Sequence, residues 1–402
     1  MIPQGLSAAD LRKRNRAGIL RLVHSQGAMA RNDLAGALGL SRASVTILSG
    51  EMLGEGLLVE AGSSAAAGKA GRRKVFLRIR PEAGALVGVG VESDRVQILV
   101  TDLAGEVRGM RELPSPGKGP GAGPNKDIDP GARLARAVLG AVSGILDGAA
   151  PAAAGVVGAG LGVTGRVDPD SGTSFREPRI WDGPVALARP LAEALGVPSA
   201  VDNNVRALAL AELLLTEARR DPPPGLLFVK YGPGVGGAWA AGGRPWAGAQ
   251  NRAGEIGHTL VEPDGPVCPM CGRRGCLESL VSLGALRGRG APGREGHGGA
   301  RIEAILESLS RDDPKAYALL AGRFARALGN AIELLDPSLV ALYGTPFRSG
   351  ELLGRIASKV ESTGRPCEIR RSGLDPDLPA LGGAALALDA FFEAGGIPAG
   401  SR

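Results

Sequence analysis

Three of the chain's four cysteines, Cys268, Cys271 and Cys276, fall within nine residues in VCPMCGRRGCLES, and His258 precedes the first by ten. Thiolates and an imidazole are the donors that Zn2+ takes in closed tetrahedral structural sites. The clustering predicts a structural Zn2+ held by His258, Cys268, Cys271 and Cys276. Four protein ligands leave no open position for an activated water, so the metal is expected to hold a loop and do no chemistry. The plainer alternative is that the thiols are small buried apolar groups and His258 is unrelated to them. Cys367, alone in RPCEIR, is expected to be inert, and His24 and His297 have no evident partner.

The rest of the chain sets the context for that loop. At 402 residues, 44% hydrophobic and 22% charged, it has an ordinary globular balance and the length for two or three domains. Aromatic residues make up only 3%, so the core must be built from Ala, Val, Leu and Ile. No apolar run is long enough to span a bilayer, and MIPQGLSAADLRKRNR lacks the features of a signal peptide. A cytoplasmic chain with no membrane partner is expected, and in that reducing compartment clustered thiols favour metal over disulfide.

Charge is concentrated at one end. Residues 1–80 hold thirteen Lys and Arg against five acids, a balance of +8, while the whole chain carries +6. A polyanion partner for this segment is one reading and a solvated basic surface the other. Pattern favours the first. Leu11, Ile19, Leu22 and Val23 fit one helical face, RNDLAGAL reads as a short helix with Leu34 and Leu38 inward, and Ser41 is a natural N-cap for a third helix. On that helix Val45, Leu48, Met52 and Leu53 form a buried stripe. This is the geometry of a helix-turn-helix, whose second helix enters a major groove. Two strand-like runs, LLVEA and VFLRIR, flank a loop with Lys69, Arg72, Arg73 and Lys74, a wing suited to phosphates or a minor groove. Ser41, Arg42, Ser44 and Thr46 are the expected groove contacts, and Lys69, Arg72 and Arg73 the expected wing contacts.

Beyond residue 84, strands alternate with helices, which argues for an α/β core. Two strands and a third in VRGMREL come first. A helix over 132–146, the strand AGVVGAGLGVTG, the helix PVALARPLAEALG and the strand PSAVDN follow. A long helix through Ala218, strands at LLFVKYG and GGAWAAGG, and a mainly helical C-terminal part containing LVALYG complete it. PSPGKGPGAGPNKDIDPG and RGRGAPGREGHGGA read as loop insertions.

GEIGH followed by CPMCGRRGCLE resembles the signature of the ROK family of repressors, uncharacterised reading frames and sugar kinases. The resemblance runs from about residue 84 to 395, and the winged helix before it is similar to the family's transcription-factor branch. Two residues separate the first two cysteines where the family usually has one, and REPRIWDG only loosely resembles the family's sugar loop. The resemblance implies a two-lobed fold of the actin-like, ribonuclease-H-like class with a ligand cleft. The implied domains are a winged helix-turn-helix over 1–82, lobe I over 83–200 completed by a helix near 380–397, and lobe II over 201–379 carrying the zinc motif. It further implies that Glu255, His258 and Glu278 bond sugar hydroxyls, His258 also reaching the metal. VDNNVRALALAE matches the kinase motif: Asn203 stands at the sugar-binding Asn, and Asn204 stands where the catalytic Asp should be, on the sugar pocket.

An amide carries no charge and takes no proton at neutral pH. The first phosphate loop of the family aligns with GVESD, where Glu92, Ser93 and Asp94 replace its glycines and Thr. In YGPGVGG, Pro233 removes a backbone donor. The expectation is therefore a non-enzymatic, DNA-binding regulator, most simply a repressor of sugar-use genes. It is expected to bind double-stranded operator DNA as a homodimer or dimer of dimers and to be controlled by a sugar or phosphosugar. The rival is an ATP-dependent sugar kinase with a DNA-binding appendage, and a third reading is a ligand-free architectural regulator.

Overall fold

The computed structural model describes residues 7–64, 74–115, 129–148, 155–177, 180–181, 183–286, 298–362, 364 and 367–397. Its first unit packs three helices, Ala8–Gln26, Arg31–Leu38 and Arg42–Gly54, on an antiparallel sheet of Met29–Ala30, Lys74–Ile79 and Leu58–Ser64. Local chemistry sets the helix ends. Ser7 and Asp10 form a reciprocal capping box, and Ser41 Oγ accepts from Ser44 N at 3.0 Å. Ile19, Leu20, Val23, Leu34, Val45, Leu48 and Met52 make the core. Leu11 departs from expectation at 46% exposed, because the first helix is open to solvent over residues 7–14 and gains neighbours only from about Arg16. Lys69, Arg72 and Arg73 lie outside the described residues.

Two five-stranded sheets carry the rest. The first runs Ser199–Asn203, Val156–Val163, Ala85–Val91, Arg95–Asp102, Val107–Pro114, with the first three strands parallel. The second runs Arg244–Pro245, Val235–Ala241, Gly225–Tyr231, Leu339–Tyr343, Glu368–Arg371, with the last three parallel. Ala85–Val91 and Leu339–Tyr343 are buried at every position, as unbroken apolar runs at the middle of covered sheets should be. Helices Pro130–Gly148 and Ala188–Leu195 pack on the first sheet, and Gly298–Asp312, Pro314–Leu335 and Glu351–Glu361 on the second.

Between the sheets lie two helices, Asn204–Leu215 and Leu381–Glu393. The second approaches its strands almost backbone to backbone. A Cβ on Gly160 would sit 2.0 Å from the Gly383 carbonyl oxygen, and one on Gly88 2.5 Å from that of Ala380, so neither position admits a side chain. This is the α/β core that the pattern of strands and helices implied, in the two-lobed arrangement that the family resemblance implied.

The differences are local. The helix expected from Pro184 starts at Ala188, because Val185–Ala186 pairs with Thr173–Ser174 in a small extra sheet. The helix expected to reach Ala218 ends at Leu215, where Thr216 Oγ1 donates back to the Glu212 carbonyl at 2.6 Å and accepts from Ala218 N at 3.2 Å. Among the described residues no helix is long and apolar enough to cross a membrane.

Candidate metal centre, cleft and nucleic-acid interface

His258 closes a short 3-10 turn, Ile256–His258, and the cysteines follow in a tight backbone loop. Cys268 N donates to the Arg273 carbonyl at 2.8 Å and Gly272 N to that of Cys268 at 2.9 Å, with Gly272 and Gly275 at positive φ. The result brings one donor atom from each of His258, Cys268, Cys271 and Cys276 within 4.8 Å of the others. Cys268 Sγ lies 3.9 Å from His258 Nδ1. Zn–S bonds of about 2.3 Å give a tetrahedron with edges of about 3.8 Å, so the donor set can hold one metal ion with little movement. Burial pushes the Cys268 thiol up to about 11, so a bound cation must displace a proton there.

The C-terminal ends of the parallel strands in both sheets meet around a charged cluster. Glu92, just past Ala85–Val91, accepts on Oε1 from Asn204 Nδ2 at 3.0 Å and from Lys230 Nζ at 2.6 Å. Asn204 begins its helix and Lys230 ends Gly225–Tyr231, so the cluster joins the lobes. Asp94 accepts from Gly298 N at 2.7 Å. Two residues that sequence reasoning placed at the altered phosphate loop and the lost base, Glu92 and Asn204, are thus in direct contact. Lys230 was missed, and the signal was a lone cation in the apolar strand LLFVKY. Arg206 was missed as well. It is 3% exposed, and its guanidinium donates to Asp202, to the Val167 carbonyl at 3.0 Å and to the Asn251 carbonyl at 3.2 Å.

The remaining sugar candidates surround the start of Val235–Ala241. Glu278 Oε2 accepts from Val235 N at 2.7 Å, taking the donor that a phosphate-cradling loop would offer. A Cβ on Gly236 would meet Val205 Cγ2 at 2.7 Å, and one on Gly237 the Gly254 carbonyl oxygen at 2.5 Å. Those glycines let the helix bearing Asn204 and the turn bearing Glu255 and His258 close on the same strand. Asn203 works first as a helix cap. Its Oδ1 accepts from Val205 N at 2.9 Å and Arg206 N at 3.2 Å, and its Nδ2 donates to the Gly165 carbonyl at 2.8 Å. Glu255 is exposed and His258 half-buried.

In residues 1–80 all five acids are engaged. Asp10 closes its capping box, Asp33 pairs with Lys74 at 3.1 Å, Glu51 with Arg12, Glu55 with Arg16, and Glu60 with Arg31 at 3.6 Å. The helix Arg42–Gly54 exposes Arg42, Ala43, Thr46, Ile47 and Gly50, with no acid among them. The hydroxyls of Ser41 and Ser44 bond each other at 2.8 Å, and Thr46 Oγ1 donates to the Arg42 carbonyl at 2.8 Å. Three of the four expected groove contacts are therefore partly occupied inside the helix.

This unit docks on the two central helices. Arg16, 2% exposed, donates to the Gly395 carbonyl at 2.8 Å, and Arg21 pairs with Asp389 at 2.5 Å. His24, for which the sequence offered no partner, has its Nε2 2.8 Å from the Leu214 carbonyl oxygen and its ring edge-on to Phe392 at 5.3 Å. One helix, Asn204–Leu215, thus starts in the cleft and ends under the N-terminal unit. Burial lowers the His24 pKa, Arg219 and Arg21 add to that, and the Leu214 carbonyl partly opposes it. The imidazole is therefore neutral in the docked state, and protonation opposes docking. Its stabilising contribution is full above the ordinary value of about 6.5 and is lost as pH falls from there through the lower folded value. The melting temperature should drop over that window in the wild type, and the drop should be smaller in His24→Gln, as pH-dependent calorimetry will show.

A family model described as ROK family matches residues 87–390, more than half of the chain. The chain belongs to the ROK family. Among ROK relatives, the xylose repressor of Caldicellulosiruptor bescii is 28% identical over 276 residues, covering 69% of this chain. The chain spans 65% of that repressor's length. The DNA-binding transcriptional dual regulator NagC of Escherichia coli is 28% identical over 358 residues, 86% of this chain and 84% of its own. A solved ROK family transcriptional regulator, homologous to the E. coli MLC protein, superposes with a TM-score of 0.76 at 22% identity. That match covers 96% of this chain and 98% of the other, so the likeness of fold includes the N-terminal unit as well as the two ROK lobes.

Proposed function

We propose that this ROK chain is a sugar-responsive, DNA-binding transcriptional regulator, a repressor of sugar-utilisation genes. Residues 1–82 act as a winged helix-turn-helix, 83–200 with about 380–397 as lobe I, and 201–379 as lobe II. Asn203, Asn204, Glu255, His258 and Glu278 line a monosaccharide pocket, and a structural Zn2+ on His258, Cys268, Cys271 and Cys276 fixes its rim. Arg42 and Thr46, with Ser41 and Ser44 at the helix start, face the major groove of operator DNA, and Lys69, Arg72 and Arg73 reach its backbone. The chain works in the cytoplasm as a homodimer or dimer of dimers, with paired heads spanning successive half-sites. The observation that carries this reading is the path from cleft to head: Asn204 bonds Glu92, which also holds Lys230, at one end of its helix, and Leu214 meets His24 at the other. Sugar that binds two positions of that helix unequally shifts the DNA affinity by at most the ratio of its affinities for them, and DNA shifts the sugar affinity by the same factor in return.

Gel-shift titration tests the DNA-binding half. Duplexes from upstream of a sugar-use operon should outcompete random duplex, and affinity should fall at least about tenfold between about 50 and about 200 mM salt. Equal binding to both duplexes would defeat the proposal. The kinase reading draws on the shared fold, and it requires ATP-dependent hexose phosphorylation abolished by Asn204→Ala. None is expected, because the Asn204 amide is already bonded to a carboxylate and offers no base.

A further inference from the structure

We infer that Ile47 reads the 5-methyl group of a thymine in the major groove, and so sets sequence preference through an apolar contact. The inference rests on the DNA-binding reading above and goes beyond the polar contacts it names.

Ile47 is 58% exposed on the outward face of Arg42–Gly54. Its neighbours along the helix are Ala43 and the half-buried Ser44 before it, and Gly50 and the half-buried Glu51 after it; Glu51 is paired with Arg12, and open space surrounds the position of a Cβ on Gly50. A branched side chain among these stands out as a single apolar knob. Around it the polar readers are partly used up: the Ser41 and Ser44 hydroxyls bond each other, and that of Thr46 donates to the helix backbone. Four of the five acids in residues 1–80 are paired with cations, Asp10 caps the first helix, and Arg42 supplies a cation at the start of Arg42–Gly54. A surface of this kind suits a duplex better than a neutral protein partner. The thymine methyl is the one apolar group that a base pair presents in the major groove, and aliphatic side chains contact it.

The test uses the full-length protein and a random-sequence duplex pool. Wild-type protein should enrich a site with thymine fixed at one position per half-site. Ile47→Ala, exposed and so expected to melt like the wild type, should lose that preference and keep the rest. Replacing that thymine by deoxyuridine removes only the methyl. It should weaken wild-type binding about fourfold per base, the value of one buried methyl-sized group, and leave Ile47→Ala unaffected. Enrichment that is the same for both proteins, or equal binding of the thymine and deoxyuridine duplexes, overturns the inference while sparing the DNA-binding role. No enrichment by the wild type removes both. A loss of self-association in Ile47→Ala, with DNA preference unchanged, would assign the knob to a contact between copies and overturn the inference.

Discussion

Cys268→Ser should reduce bound metal from about one ion per chain to almost none, and sugar affinity should fall with it by a factor on the order of 100. Val261 and Leu277 anchor the two ends of the segment in the core and Arg323 holds Glu262, but between them Val267 and Met270 are 52% and 44% exposed, so the cysteine loop itself buries little apolar side chain. A structural Zn2+ contributes on the order of 10 kcal/mol to such a loop, more than any hydrogen bond within it. Releasing it frees the turn Ile256–His258 and the start of Leu277–Val281, which carry His258 and Glu278. Elemental analysis, limited proteolysis across 258–278 and calorimetry with a monosaccharide panel check the three consequences. A chelator should reproduce them in the wild type and do nothing further to the variant. A variant that keeps both its metal and its sugar affinity contradicts the ligand set.

Asn204→Asp should create no kinase and should destabilise the fold by about 1–3 kcal/mol at neutral pH. The new carboxylate would stand where the amide now donates to Glu92 at 3.0 Å, and the single Lys230 cannot neutralise two anions. Like charges so close raise the native pKa of the introduced acid. The penalty is full above that raised value, shrinks as pH falls through it, and is absent below the ordinary value of about 3.9. The gap in melting temperature between variant and wild type should therefore narrow from pH 7 to pH 5. ATP turnover restored by this one substitution would show that the cleft retains a phosphate-binding loop, contrary to the roles assigned to Glu92 and Glu278.

What the sequence disclosed follows from the range of each signal. The four metal donors are legible because the cysteines are close in the chain and few residue types bind zinc. The strands Ala85–Val91 and Leu339–Tyr343 are legible because burial on both faces leaves an unbroken apolar run. Glu92 and Asn204 stood out only as departures from a motif, and their contact spans 112 positions of chain. Lys230 and His24 were missed because their importance lies in distant partners, and Arg206 because two of its three partners, the Val167 and Asn251 carbonyls, are distant and on the backbone. The His24 partner, Leu214, is 190 positions away and is a backbone carbonyl, which no side-chain pattern reveals. Sequence pattern finds the hydroxyls at the start of Arg42–Gly54, but not that the helix itself consumes part of their bonding capacity.

The seating of Leu381–Glu393 also bears on how the protein matures. Its Leu388, Phe391 and Phe392 complete the core beneath the N-terminal unit, while its glycines lock into strands translated long before it. A ribosome-bound chain that has not yet released this helix lacks the floor on which that unit rests. Nascent or proteolytically shortened chains should therefore carry an N-terminal unit without its supporting core, and on the proposed function they should be poor competitors for promoter sites.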